Sequence, residues 1–213
     1  MAFPTSSLTN NQVHKEGNRA FVYDSAIGVW DQVRETDRTE NKILSGEIGS
    51  SVTGFVGIKH AVLWRVTSDF SGGDVNPIIN WERDDSYSNG YVGSAMSESS
   101  GIFTFPETGV WDIAFHMSAY YTAPQRYIAG DIYTTSNNGS GWDHNALAET
   151  SIGDSGTSNV MGSMSTRTLF NVVAVGTHKC KLGMSNVGSD AITVRGSSNR
   201  NDTFVVFIRL GDA

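Results

Sequence analysis

Trp111, Ile113, Phe115 and Met117 stand at alternate positions of one run, with Asp112, Ala114 and His116 between them. Successive side chains of an extended strand point to opposite faces, so this spacing predicts a strand with one covered side and one more polar side. A helix would scatter the same four residues around its circumference. The period of two recurs in Val62, Trp64 and Val66 and in Phe103 and Phe105. Further strand signals at residues 127–135, 169–175, 179–184, 191–194 and 203–210 bring the expected total to about eight to ten. That is too many for one open sheet in a chain of this size, and two packed antiparallel sheets are the natural solution. Gly is abundant at 23 residues and Pro scarce at 4, which suits tight turns and disfavours helix. Asn89-Gly90 and Asn138-Gly139 each predict a loop tip, because that dipeptide readily supplies positive φ. Residues 135–164, rich in Gly, Ser and Asn, are expected to form the most exposed and adaptable loop.

The run Phe204-Val-Val-Phe-Ile208 is apolar at every position. A strand with one side in water would alternate, so both faces of this one are expected to be covered. One face would fill the sandwich core and the other would meet a neighbouring subunit, although a long loop of the same chain is an alternative cover. Phe204, Val205 and Phe207, with His116 on the polar side of its own strand, are therefore the candidate subunit interface.

At 213 residues the chain has room for one main β core and a small appendage. Residues 1–16 are polar and read as an extended arm that orders on something else. Residues 19–33 read as a hairpin, with Phe21 and Tyr23 on one side of a turn at Asp24 to Gly28 and Trp30 on the returning strand. A lone two-stranded hairpin is marginal in water, so Phe21, Tyr23 and Trp30 are expected to dock on a partner. Residues 34–47 carry mixed charge and read as a linker, which divides the chain into residues 1–47 and 48–213. No basic cluster followed by an apolar stretch opens the sequence, so neither Sec export nor membrane insertion is expected.

The net charge of −7 and the modest 17% of charged residues argue against a nucleic-acid partner. Cys180 alternates with Lys179 and Lys181 and reads as a small buried hydrophobe. Five histidines lack the spacing of a zinc site, and Asp84-Asp85 and residues 137–143 do not follow the spaced calcium loop, so no metal or cofactor is assigned. No Gly-x-Ser-x-Gly elbow or marked carboxylate pair points to catalysis, and the chain is read as a non-enzyme. Tyr127, Asn138 and Trp142 are the candidate ligand-binding residues, since an aromatic ring near a loop can stack on a sugar.

The segment Gly101-Ile-Phe-Thr-Phe-Pro-Glu-Thr-Gly-Val-Trp-Asp-Ile113 resembles the signature of the C1q/TNF-like family, two strands joined around a Pro-Gly corner. Asn80-Trp81 and Asn89-Gly90-Tyr91 upstream, and Gly176-Thr-His-Lys-Cys-Lys-Leu182 and Asn201 to Gly211 downstream, are similar to flanking segments of that family. The resemblance spans residues 50–213. It implies an all-β, two-sheet antiparallel jelly roll of ten strands that forms a homotrimer, and it implies no enzyme. Asn11-Gln12-Val13, Phe21-Val-Tyr-Asp-Ser25 and Gly28-Val-Trp30 resemble short segments near the N-termini of marine phage tail, neck and fibre proteins. Taken together, these readings describe a homotrimeric bacteriophage virion protein, a capsid decoration, fibre or tail-associated appendage. It would be assembled in the host cytoplasm and attached to capsid, neck or tail proteins through its N-terminal arm. The alternative is an adhesion module that binds a host receptor or surface glycan through residues 135–164.

Overall fold

The computed structural model describes residues 8–9, 12–16, 19–26, 28–33, 58–121, 124–153, 159–185 and 192–212. All regular structure among them is β-strand. The strands are β1 (Val13–Glu16), β2 (Arg19–Asp24), β3 (Val29–Val33), β4 (Ala61–Val66), β5 (Ser68–Gly72), β6 (Trp81–Arg83), β7 (Ser97–Ser99) and β8 (Ile102–Thr104). They continue with β9 (Gly109–Tyr121), β10 (Gln125–Thr135), β11 (Asp143–Ile152), β12 (Val160–Val172), β13 (Lys179–Ser185), β14 (Ile192–Ser197) and β15 (Phe204–Gly211). Contacts divide the chain into two compact units, Met1–Phe55 and Val56–Ala213.

The first unit holds a three-stranded antiparallel sheet in the order β1-β2-β3. The expected hairpin is β2 and β3, with Tyr23 opposite Trp30 and the turn closed by the Gly28 amide donating to the Asp24 carbonyl at 2.8 Å. Residues 13–16, expected to belong to a polar arm, instead pair with β2 from Val13↔Val22 to Glu16↔Arg19. Backbone amides on a free strand edge seek partners whatever the side chains are, and a third strand relieves the marginality of a lone hairpin. The expected linker at 34–47, and with it the boundary at 47/48, lies outside the described residues.

The second unit contains two sheets whose every pairing is antiparallel. The larger follows the path β5-β14-β9-β15-β4-β6, with β12 added on the other edge of β9, and the smaller runs β11-β10-β13-β8-β7. Strand β9 organises the larger sheet. Strand β12 lines one edge of it from Val160↔Tyr121 to Val172↔Gly109, while β15 and then β14 share the other edge. Trp111, Ile113, Phe115 and Met117 all point inward and are at most 1% exposed. They meet Phe103 and Phe105 at β8, Ile128 and Ile132 from β10, and Val205 and Phe207 from β15 in one core. Ring centroids of Phe103 and Phe207 lie 5.1 Å apart and those of Phe105 and Trp111 5.3 Å apart, tilted pairs that add about 0.5–1.5 kcal/mol each beyond simple burial.

The Pro106–Gly109 corner leads into β9. Gly109 has φ of 132°, and a Cβ there would run into the Gly211 carbonyl oxygen and the Arg209 guanidinium. Only glycine combines that conformation with that approach. The Trp111 indole nitrogen donates to the Glu107 carbonyl at 3.1 Å and closes the corner from inside.

Three expectations are corrected. Residues 135–164 do not form a long loop: β11 occupies Asp143–Ile152 and β12 begins at Val160. Small polar residues are tolerated in a strand because its backbone hydrogen bonds set its position, and Ala146, Ala148 and Thr150 alternate half-buried with exposed Leu147, Glu149 and Ser151. Only 136–142 remains as the turn between β10 and β11, with Asn138 and Gly139 at φ of 61° and 86° at its tip. Positive φ near Asn89-Gly90 falls instead on Tyr87 and Ser88, at 55° and 64°. The second unit contains twelve strands among the described residues, more than the eight to ten expected, because β5, β6 and β7 are too short to announce a period.

Candidate functional site

The outer face of the larger sheet follows from the register of β15. Phe204, Val206 and Ile208 lie opposite His116, Ala114 and Asp112 of β9 on one side, and opposite Arg65, Leu63 and Ala61 of β4 on the other. All three apolar side chains are half-buried. The neighbouring Val205 and Phe207 are fully buried in the core. They therefore leave the candidate interface. A strand apolar on both sides sends alternate residues each way, and the sequence does not say which set faces the core.

His116 stacks on Phe204, with ring centroids 5.0 Å apart and planes 27° from parallel, and its Nδ1 lies 2.9 Å from the Ser165 hydroxyl. Burial lowers its pKa below the ordinary value. A depression of about 270 Å³ opens here, lined by Ala114, His116, Ser165, Arg167 and Phe204. A second, of about 420 Å³, lies between Ala61, Leu63, Tyr91, Val92 and Val206. Val206 separates the two.

The charges on β4, β9 and β12 beside these depressions are neutralised within the chain, while Arg83 lies over the Tyr91 ring, 4.2 Å from its centroid. Buried Asp112 receives both Nε and Nη2 of Arg167 at 2.5 Å, and that partnership raises the arginine pKa. Arg65 is 1% exposed and donates to Glu82 at 2.8 Å, to Asp84 at 2.7 Å and to the Ser86 hydroxyl at 2.9 Å. Desolvation pushes the Asp84 carboxyl up. Donation from Asn201, the Ser86 amide and Asn89, with the charge of Arg65, outweighs it and holds the carboxyl below its usual range. Both Asp84 oxygens are thus engaged by protein donors, so the Asp84-Asp85 pair has an arginine where a calcium loop would have a cation. Among the described residues no group of three or more His, Cys, Asp or Glu side chains could hold a metal ion.

A second polar cluster sits at one end of the larger sheet. His60 Nε2 lies 2.6 Å from Glu107 Oε2, and this hydrogen bond is the main reason the Glu107 carboxyl stays below its ordinary value. Arg209, 2% exposed, donates to the Thr108 carbonyl at 2.7 Å and also to Asp212, tying the end of β15 to the corner before β9.

No family model and no curated protein matches the sequence. Solved structures do. A crystal structure of murine APRIL matches with a TM-score of 0.50 at 10% identity, covering 71% of this chain and 98% of that one. Eiger TNF from S. frugiperda matches with a TM-score of 0.50 at 14% identity, covering 74% of this chain and 96% of that one. The fold is a TNF-like jelly roll. At such identities the likeness extends to the fold alone.

Within this TNF-like jelly roll the expected ligand residues fall apart. Tyr127 is exposed near the start of β10, whereas Asn138 and Trp142 belong to the turn beyond its far end. Eight residues of strand, about 27 Å, separate Tyr127 from Thr135. Sequence reasoning missed Tyr133, His144 and Lys181, which gather around Trp142. Lys181 Nζ lies 4.5 Å from the Trp142 ring centroid and 5.3 Å from that of Tyr133, and His144 stacks on Tyr133 at 4.6 Å. The Trp142 ring already carries a cation on its face and is no open platform for a sugar. Beneath this group Asp131 is fully buried, with His144 Nε2 2.8 Å from its Oδ1. Strand alternation puts Asp131 and Tyr133 on one face, but only the pairing Tyr133↔Lys181 brings β13 to them. Cys180 is buried as expected, and its thiol is pushed up by desolvation.

The expected attachment residues lie in the first unit. Phe21 is 7% exposed, and the rings of Tyr23 and Trp30 approach to 5.3 Å, with His14 5.9 Å from Trp30.

Proposed function

We propose that the chain is a homotrimeric structural appendage of a phage virion, which self-associates through the outer face of the larger sheet and is tethered by its N-terminal unit. The observation that carries the self-association is the composition of that face. Phe204, Val206, Ile208, Leu63 and Ala114 supply apolar surface, and the charged groups beside them are already paired within the chain. A face of this kind can be covered by a second copy without stranding a charge.

A threefold ring needs two different patches on each copy, since its contacts are head-to-tail. The depression at His116 and Phe204 and the depression at Tyr91 and Val92 supply two such patches on one face. Burying about 800 Å² on each partner suffices for a specific interface. The trimer implied by the resemblance to C1q/TNF-like proteins agrees. The virion setting rests on the N-terminal segments that resemble phage tail, neck and fibre proteins, and on a separate three-stranded unit at that end. The glycan-binding alternative has less to rest on, because Tyr127 lies far from Trp142 and Lys181 covers the Trp142 ring.

Sedimentation velocity on the full chain tests the assembly. The wild type is expected at three times the 23.0 kDa chain mass. Val206→Asp is expected to give a folded monomer with an unchanged far-ultraviolet circular dichroism spectrum. A wild-type chain that sediments as a monomer ends the proposal.

A further inference from the structure

Among the titratable side chains on the outer face of the larger sheet, His116 differs from the rest in its partners. Arg167 has Asp112; Arg65 has Glu82, Asp84 and Asp85; Asp202 has Arg195 and Arg200 at the approach to β15. His116 has a hydroxyl, Ser165 Oγ, and an aromatic ring, Phe204. No carboxylate among the described residues is paired with it. Asp112, four residues back on β9, has both oxygens committed to Arg167.

A neutral imidazole fits this place well. It can stack on Phe204 and exchange one hydrogen bond with a hydroxyl that both donates and accepts. A protonated one fits only while water reaches it. In a single chain the depression is open and solvates the charge in part. Once a second copy covers it, the imidazolium loses that water and gains no anion, and each copy in a ring brings the same charge.

We infer that His116 makes self-association acid-labile: the assembly forms with His116 neutral and comes apart when the three imidazoles are protonated. This rests on the assembly reading above and adds a regulation of the same face. The sign follows from linkage. Burial already lowers the His116 pKa in the single chain, from an ordinary 6.5, and further covering acts in the same direction. The assembled state then binds fewer protons than the free chain. Assembly is complete above the free chain's value and is lost as pH falls through it. The Asp84 carboxylate and the Arg167 guanidinium keep their charges across this range, because their hydrogen-bonded partners hold Asp84 below and Arg167 above its ordinary value.

The experiment is sedimentation velocity on the full chain at about pH 7.5 and about pH 4.5, a window that reaches well below an unperturbed histidine because burial already lowers the His116 value. Circular dichroism on the same samples checks that the chain stays folded. The concentration for half-dissociation is expected to rise at least about tenfold on acidification, with the spectrum unchanged. His116→Gln, which keeps a polar partner for Ser165 but does not titrate, is expected to hold its trimer at both pH values. His116→Phe serves in its place if the glutamine variant misfolds. A wild-type trimer equally stable at both pH values overturns this inference alone, and so does equal dissociation of wild type and variants. A monomer at about pH 7.5 overturns the assembly reading and this inference with it.

Discussion

Phe207 shows how a single residue's role turns on which way its side chain points. Its ring lies 5.1 Å from Phe103 and 6.1 Å from Phe105, wholly inside the second unit. Phe207→Asp is therefore expected to abolish folding, not merely assembly, since an unpaired carboxylate in that core costs several kcal/mol. Loss of the cooperative thermal transition would verify it. Arg65 gives the complementary case. Arg65→Ala leaves Asp84 buried without its counter-charge, at a cost of about 3–5 kcal/mol. The stabilisation from Asp84 is complete above the carboxyl's ordinary value of 3.8 and is lost as pH falls through its lowered native value. Thermal melts of the variant should therefore fall less steeply than those of the wild type as the pH drops below 3.8, because removing the Arg65 charge brings the native Asp84 value back toward the ordinary one. The partners of Arg65 were not legible in the sequence. Asp84 is 19 residues away and Asn201 reaches Asp84 across 117, so the cluster exists only where β4, β6 and the approach to β15 converge.

At the scale of elements, long strands with a strict period declared themselves and short or polar ones did not. Strand β9 is the clear success: four inward apolar residues at every second place leave little choice of conformation. Strand β11 is the clear miss, because Asn145, Ala146, Ala148 and Ser151 carry too little apolar contrast to set a period, and pairing with β10 holds them extended. The corner before β9 was readable from Pro106 and Gly109, although the reason for the glycine lies in the backbone of Gly211, about a hundred residues later. Gly109→Ala is expected to cost about 1–3 kcal/mol through strained backbone alone. A chain of this size melts roughly 2–4 °C lower for each kcal/mol lost. Gly176→Ala, with nothing within 4 Å of the added carbon, is the control that should leave the melting temperature unchanged in the same differential scanning measurement.

For the whole molecule, two compact units divide the work that the proposed function needs. Deletion of residues 1–33 is expected to leave the trimer intact and to abolish co-sedimentation with purified particles. A deleted chain that still binds particles would move the attachment to the jelly roll. The sequence by itself determined the all-β class, the two-sheet sandwich and the inward face of β9, because alternation is a local property that each strand carries in its own residues. It could not decide which side of β15 is the inside, that Tyr127 stands apart from Trp142, or that His116 meets Phe204 and Ser165 and, among the described residues, no carboxylate. Those facts depend on register between strands far apart in the chain, and register is fixed only when the two sheets close on each other.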